Sequence, residues 1–283
     1  MSKTVISNDF LSVTIDSKGA EVISVNKAGK ELLWDGNPDF WTGHAPVLFP
    51  ICGGLKDDKF IFENKEYHLP KHGFAKISQF ELEYADKTKA VFLLSSDEES
   101  LKKYPFSYEF RIIYTLDGTT LNVEYNTKNL SDNDMYYSVG AHEAYACPGG
   151  IENYSILFDC EEILRSVSLE GPLLTKDKFL VQENTKELKL SKELFKVDSL
   201  IFDDLKSRKV WLENINTKEK IEICFEGFDY LLLWTIPDAQ YICIEPWCGI
   251  PDYVTSDYDI TDKPGIIKVG KNEISVKNHT IRF

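Results

Sequence analysis

Apolar and polar residues alternate along most of this chain in short runs broken by turn residues. The clearest case is YEFRIIYTLDGTTLNVEYNTKNL at 108 to 130. Side chains on a strand point to opposite faces in turn, so each half of this segment has one buried face and one wet face. Asp117-Gly118 between the halves is a hairpin signal. LSVTID, AEVISVN, AVFLLSS, NYSILFD, KVWLEN, EKIEICFE, YLLLWTI and QYICIEPW repeat the theme. A parallel sheet needs long crossover connections, usually helices, and no interval reads as one. Only Ser96–Glu99 ahead of SLKKY, which resembles a capping box, and KELF at 192 to 195 suggest helical turns. No dinucleotide-binding glycine fingerprint and no Walker motif occurs. The chain is therefore expected to be all-β, a large antiparallel sandwich or barrel, in one domain over 1–283. Three local expectations follow. DKFIFENKEYHL should turn at Asn64-Lys65, GIIKVGKNEISVKNHTIRF should form a last hairpin, and Pro246 should end its strand because it cannot donate.

Charge narrows the partners. With 46 acidic and 32 basic residues the net charge is −14, which disfavours nucleic acid and anionic membranes. The opening MSKTVISNDF has no apolar core of a signal peptide, and YLLLWTI is far too short to span a bilayer, so a cytoplasmic protein is expected. The six cysteines show no zinc-type spacing and are read as reduced thiols, with no metal.

Candidate chemistry lies in loops rich in glycine, proline and aromatics: NPDFWTGHAPVLFPICGG, LPKHGFAK, HEAYACPGG and EPWCGIPDYV. Alternation places Tyr241, Cys243 and Glu245 on one face and Ile242 and Ile244 on the other. A rigid, partly desolvated Glu245 suits a general base; a solvent-facing or lysine-paired glutamate fits the same pattern. His142 shares a face with Ser138 and Gly140, whose small side chains leave room for a ligand ring. It is either a proton donor or a histidine packed under a loop. His72, His68 and His44 cannot be ranked by pattern, and His279 reads as a surface residue. Asp198 competes with Asp203 and Asp204. Trp41, Phe74, Tyr145 and Trp247 would suit a sugar ring or a peptide groove.

Five stretches in order give a more specific signal: APVLFPICGGLKDDKF, LPKHGFAK, VGAHEAYACP, KVDSLIFDDLKSR and CIEPWCGIPD. Together they resemble the aldose 1-epimerase (galactose mutarotase-like) family, and within it the LacX-like subgroup, over nearly the whole chain. The resemblance implies an antiparallel β-supersandwich with an open site on its concave surface. It implies Glu245 as general base and His142 as general acid, flanking the ring on opposite sides. It makes His72 a sugar-binding group and Asp198 a hydroxyl acceptor, with Lys76 and Trp247 as further contacts. The partner would be a small aldose and no cofactor would be needed; a homodimer is compatible with the family. Three departures stand out. Gly54 and Lys76 occupy positions where relatives carry arginine, and Glu143 replaces a proline, adding negative charge beside His142. With Lys76 as the one basic residue credited to the motifs, the expected substrate is neutral. A noncatalytic sugar-binding protein of the same fold is the alternative, and a two-carboxylate glycosidase is a third reading.

Overall fold

The computed structural model describes residues 2–196 and 198–283. Its largest sheet has nine strands. Their order is Leu173–Lys189, Tyr154–Glu170, Lys209–Asn214, Lys220–Cys224, Ile274–Arg282, Thr120–Asn129, Tyr108–Asp117, Lys89–Ser95 and Glu81–Ala85. Neighbouring strands pair antiparallel throughout. The alternation at 108 to 130 does what it predicts. Tyr108, Phe110, Ile112, Tyr114 and Leu116 are buried from one strand, and Leu121, Val123 and Tyr125 from the next. Inner-face aromatics stack on Phe49, whose ring lies 4.2 Å from that of Phe110 and nearly parallel to it.

A four-stranded sheet lies between this core and the cavity described below. Its order is Glu143–Ala146, Tyr241–Trp247, Tyr230–Trp234 and Leu200–Phe202. Every residue of Tyr241–Trp247 is buried, because both faces of the strand are covered. Ile242 and Ile244 enter the main core, while Tyr241 and Cys243 pack with Trp34, Ala144 and Ala239 on the other side. The division read from alternation holds. A further four-stranded sheet, Lys3–Ser7, Ser12–Asp16, Glu21–Lys27 and Lys30–Glu31, contributes one more layer of core residues from Ile6 to Leu33.

Several local expectations change. The first hairpin turns one residue early, at Glu63-Asn64, both with positive φ (49° and 62°) as a tight primed turn requires. The helix Glu98–Lys103 is capped by Asp97, not Ser96. Asp97 accepts from the Ser100 N–H at 2.7 Å, and the Ser100 hydroxyl accepts from the Asp97 N–H at 2.8 Å. Ile267–Val269 and Ile274–Arg282 do not form a hairpin. The first pairs with Met135–Tyr137 and the second is interior to the nine-stranded sheet, between Thr120–Asn129 and Lys220–Cys224. Alternation reveals a strand but not its partner.

Pro246 does not end its strand. Beside it, Glu143–Ala146 has already stopped at the Glu143–Ile244 pair, so on that side Pro246 has only to accept, from the Ala141 N–H at 3.0 Å. Of the long hairpin Tyr154–Glu170 with Leu173–Lys189, the alternation in sequence shows only NYSILFD. Its register shifts break the period, and much of its outer half is exposed.

His279 is buried, not superficial. It lies in Ile274–Arg282, and its Nε2 is 2.9 Å from Glu143 Oε1. Glu143 therefore points away from the cavity and ties the four-stranded sheet to the nine-stranded one. Removing one partner of a buried hydrogen bond leaves the other unsatisfied. Glu143→Ala should lower stability by about 1–3 kcal/mol, with Glu143→Gln losing clearly less; urea unfolding of the three proteins checks the order.

Candidate active site

Glu245 is 2% exposed, opposite Leu232 on the neighbouring strand. Directly paired residues project to the same face, so Leu232 and, two pairs further, Trp234 opposite Cys243 line the same cavity as Glu245. Burial raises the Glu245 carboxyl well above the usual carboxylate range; the Lys71 ammonium opposes the rise. Its Oε2 makes no hydrogen bond and lies 3.4 Å from His142 Nε2.

His142 is held from below by a close-packed clamp. The Trp247 indole N–H donates to the Ala141 carbonyl at 3.0 Å, fixing the peptide that precedes His142. Trp247 can lie there only because residue 140 is glycine. A Cβ on Gly140 would stand 2.6 Å from Trp247 Cδ1 and 2.9 Å from Cys52 Sγ. Above, the Trp41 ring stacks on the imidazole at 5.1 Å, and Trp234 meets it edge-on at 5.7 Å. This enclosure pushes the His142 pKa down to about 3, chiefly by desolvation. The imidazole is neutral at rest.

His72 sits with φ +68° in the loop before Gly73. Its Nδ1 accepts from the Gly53 N–H at 3.1 Å, and its own backbone N–H donates to the Gly53 carbonyl at 2.8 Å. An Nδ1 that accepts carries no proton, so Nε2 is the N–H. Burial, then the charges of His142, Lys71 and Lys76, hold its pKa well below the ordinary value. His72 is thus a fixed neutral donor. Its ring is 5.8 Å from that of His142 and 5.4 Å from Trp247.

These groups line one cavity of about 630 Å³, within the range of small-molecule sites. It brings together the six residues given site roles from the sequence, Glu245, His142, His72, Asp198, Lys76 and Trp247, and Trp41 with them, whereas Phe74 and Tyr145 are buried in the main core. Asp198 reaches it from an exposed turn with φ +81°. His68 and His44 stay outside its lining. His68 is exposed beside Glu66, and His44 stands 3.8 Å from Glu21. Gly54 is also outside the lining: a Cβ there would face Pro172, at the tip of the long hairpin, at 3.4 Å. Sequence reasoning missed Lys18, Lys71, Trp234 and Glu21. Trp234 could have been found only from the pairing register. Glu21 accepts from the backbone N–H groups of His44 and Ala45, at 2.7 and 2.9 Å, so it braces the wall. One trio of metal-type donors occurs among the described residues, His142, Cys243 and Glu245, with atoms within 4.8 Å of one another. Burial raises the Cys243 thiol well above its ordinary range, which keeps it protonated.

A family model described as aldose 1-epimerase matches residues 2–273. The plasmid-borne LacX protein of Lactococcus lactis subsp. lactis is 33% identical over 291 residues, covering 98% of this chain and 97% of its own. A solved galactose mutarotase related enzyme from Lactobacillus acidophilus has a TM-score of 0.94 at 32% identity, over 99% of this chain and 97% of that one. A galactose mutarotase-like protein from Lactobacillus casei reaches the same TM-score, 0.94, at 24% identity over 99% of both chains. The chain belongs to the aldose 1-epimerase family and has its galactose mutarotase-like β-supersandwich. Within that family it is an aldose 1-epimerase-like enzyme of the LacX-like subgroup.

The clamp under His142 makes a direct prediction. Gly140→Ala forces Trp247 from its place, an overpacking that costs about 1–3 kcal/mol. It should also reduce turnover, because the Ala141 peptide shifts with the indole. Thermal melting and tryptophan fluorescence of the variant, read beside its activity, check both parts.

Proposed function

We propose that the protein interconverts the α and β anomers of an aldose with a free C1 hydroxyl, with Glu245 and His142 as the proton-transferring pair. The observation that carries this is the 3.4 Å contact between Glu245 Oε2 and His142 Nε2 at the buried end of the cavity. Ring opening takes a proton from the C1 hydroxyl and gives one to the ring oxygen. Both oxygens are bonded to C1, so an acceptor at one and a donor at the other stand within a few ångströms of each other, which the contact supports.

The resting proton count fits such an exchange. Burial favours the protonated carboxyl and the neutral imidazole. The charge-separated form, carboxylate with imidazolium, holds the same number of protons. Passage of the proton from the Glu245 carboxyl to the His142 imidazole, across the 3.4 Å contact, converts the first form into the second before the ring opens. In the ring-opening step the carboxylate takes the O1 proton, the imidazolium protonates the ring oxygen, and the C1–O5 bond breaks to leave the aldehyde. Rotation about C1–C2 and reclosure, with both transfers reversed, gives the other anomer. His72 donates its Nε2–H to a sugar oxygen, Asp198 accepts from hydroxyls, and Trp247 with Trp41 gives the ring apolar walls. No metal or cofactor enters this reading. It places one domain at work in the cytoplasm, where the unpaired thiols stay reduced. Polarimetry on freshly dissolved α-aldoses, with and without the protein, tests it; no acceleration with any of them would end it.

Glu245→Gln should lower the catalysed rate by about 10²–10⁴-fold, since the amide cannot exchange the proton. The same change should raise the melting temperature. Glu245 binds its proton more tightly folded than unfolded, so stability falls as pH rises from the ordinary carboxylate pKa toward the raised folded value. The gain from glutamine should therefore be larger at pH 8 than at pH 4, which a melting series across that range measures. His142 has the opposite sign. Folded at about 3 and ordinarily near 6.5, it withdraws stability as pH falls through that window. His142→Asn should lose most turnover while calorimetry shows sugar binding weakened less, and its melting temperature should fall less on acidification than the parent's.

A further inference from the structure

Three lysines line the cavity: Lys18, Lys71 and Lys76. None of their ammonium groups has a carboxylate within 4.0 Å or a hydrogen-bond acceptor among the described residues. Some lysines elsewhere pair with carboxylates, as Lys178 does with Asp203 at 2.5 Å and Lys263 with Asp252 at 2.6 Å, and others stand alone on the surface; what sets these three apart is that they share one cavity, Lys18 and Lys71 exposed and Lys76 half-buried.

The three also come from one side of the cavity. Lys71 and Lys76 flank the His72 loop, Lys76 in the short helical turn Ala75–Ile77. The Lys18 segment is stitched to the end of that turn by Gly19 N–H to the Ser78 carbonyl at 2.8 Å and by the Lys18–Gln79 bridge. Gly19 lets the two chains close up: a Cβ there would stand 2.9 Å from the Lys76 carbonyl oxygen. The acidic residues in the lining are otherwise engaged or elsewhere. Glu21 is taken by backbone N–H groups, and Asp16 accepts from the Lys18 N–H at 2.9 Å. Asp198 enters beside Ser199, just before the strand Leu200–Phe202. Burial disfavours a charge on Glu245. Gathering cations has a cost, seen in the lowering of Lys76 by burial and then by Lys71.

We propose that the aldose taken by this site carries a permanent negative charge away from C1, a phosphate monoester or a carboxylate, received by Lys71 and Lys76 with Lys18 at the rim. The inference rests on the anomer-interconversion reading and replaces the neutral sugar expected when Lys76 alone was counted. It assigns the ends of the cavity: reacting C1 at Glu245 and His142, hydroxyls toward Asp198, and the anionic group toward the lysine side.

The test compares kcat/KM for the anomers of glucose, glucose 6-phosphate and glucuronate in the intact protein, at low and high salt. One anionic sugar should exceed glucose by about tenfold or more, which is what one charge-assisted hydrogen bond supplies. Which one it is separates phosphate from carboxylate. The advantage should shrink as salt screens the partly exposed ammonium groups. In Lys71→Met/Lys76→Met the ratio of charged to neutral substrate should fall toward one, whatever loss the two share. Equal or better use of glucose, or an unchanged ratio in the double variant, overturns the proposal. Titration of the same three sugars against tryptophan fluorescence, with Trp41, Trp234 and Trp247 in the cavity wall, provides a readout that needs no turnover. Tighter binding of an anionic sugar without anomer exchange would keep the charge selectivity and discard the epimerase reading. Binding indifferent to charge would overturn the selectivity itself.

Discussion

The site depends on one strand being covered on both faces. Tyr241–Trp247 is flanked by strands on either side, with the main core beneath and the cavity above. Pairing fixes which residues face up, and burial fixes what they can do. A carboxyl brought to that position loses most of its water, so its proton becomes hard to remove, while the imidazole beside it becomes hard to charge. Neither group would be poised in this way on an open surface. Stability is given up to keep them there, as is common where reactive groups are buried.

The packing around that strand explains residues with no chemistry of their own. Gly140 is needed for the space that Trp247 fills, Trp247 for the carbonyl it holds, and that carbonyl for the placement of His142. Gly53 plays a comparable part for His72, exchanging two hydrogen bonds with it and so selecting its tautomer. The two cavity histidines thus each rest on a backbone contact supplied from elsewhere in the chain.

Much of this was legible in the sequence, because alternation with period two reports which face is buried. It separated Glu245 and Cys243 from Ile242 and Ile244, and it located the hairpin at Asp117-Gly118. Partnership is a different kind of information. The tail was given the wrong partner, and Trp234 went unnoticed because it reaches the cavity only through its register with Cys243. His279 looked like a surface residue and Glu143 like a charge in the site, since neither pattern reveals that they meet across two sheets. The long hairpin escaped because its bulges destroy the period and its exposed half has no core to record. Lys71 was in plain view, but only the cavity shows that it stands beside Lys76 without a counter-charge.

The two-residue period of Tyr241–Trp247 also bears on how this chain can change over generations. Inserting or deleting a single residue between Tyr241 and Glu245 would exchange the two faces, sending Glu245 into the apolar interior and an isoleucine into the cavity. The outer part of the hairpin between Tyr154 and Lys189 already accommodates shifts of register without disturbing the centre. Descendants of this sequence are thus free to vary in length there, while the spacing that leads to Glu245 is closed to any change in length.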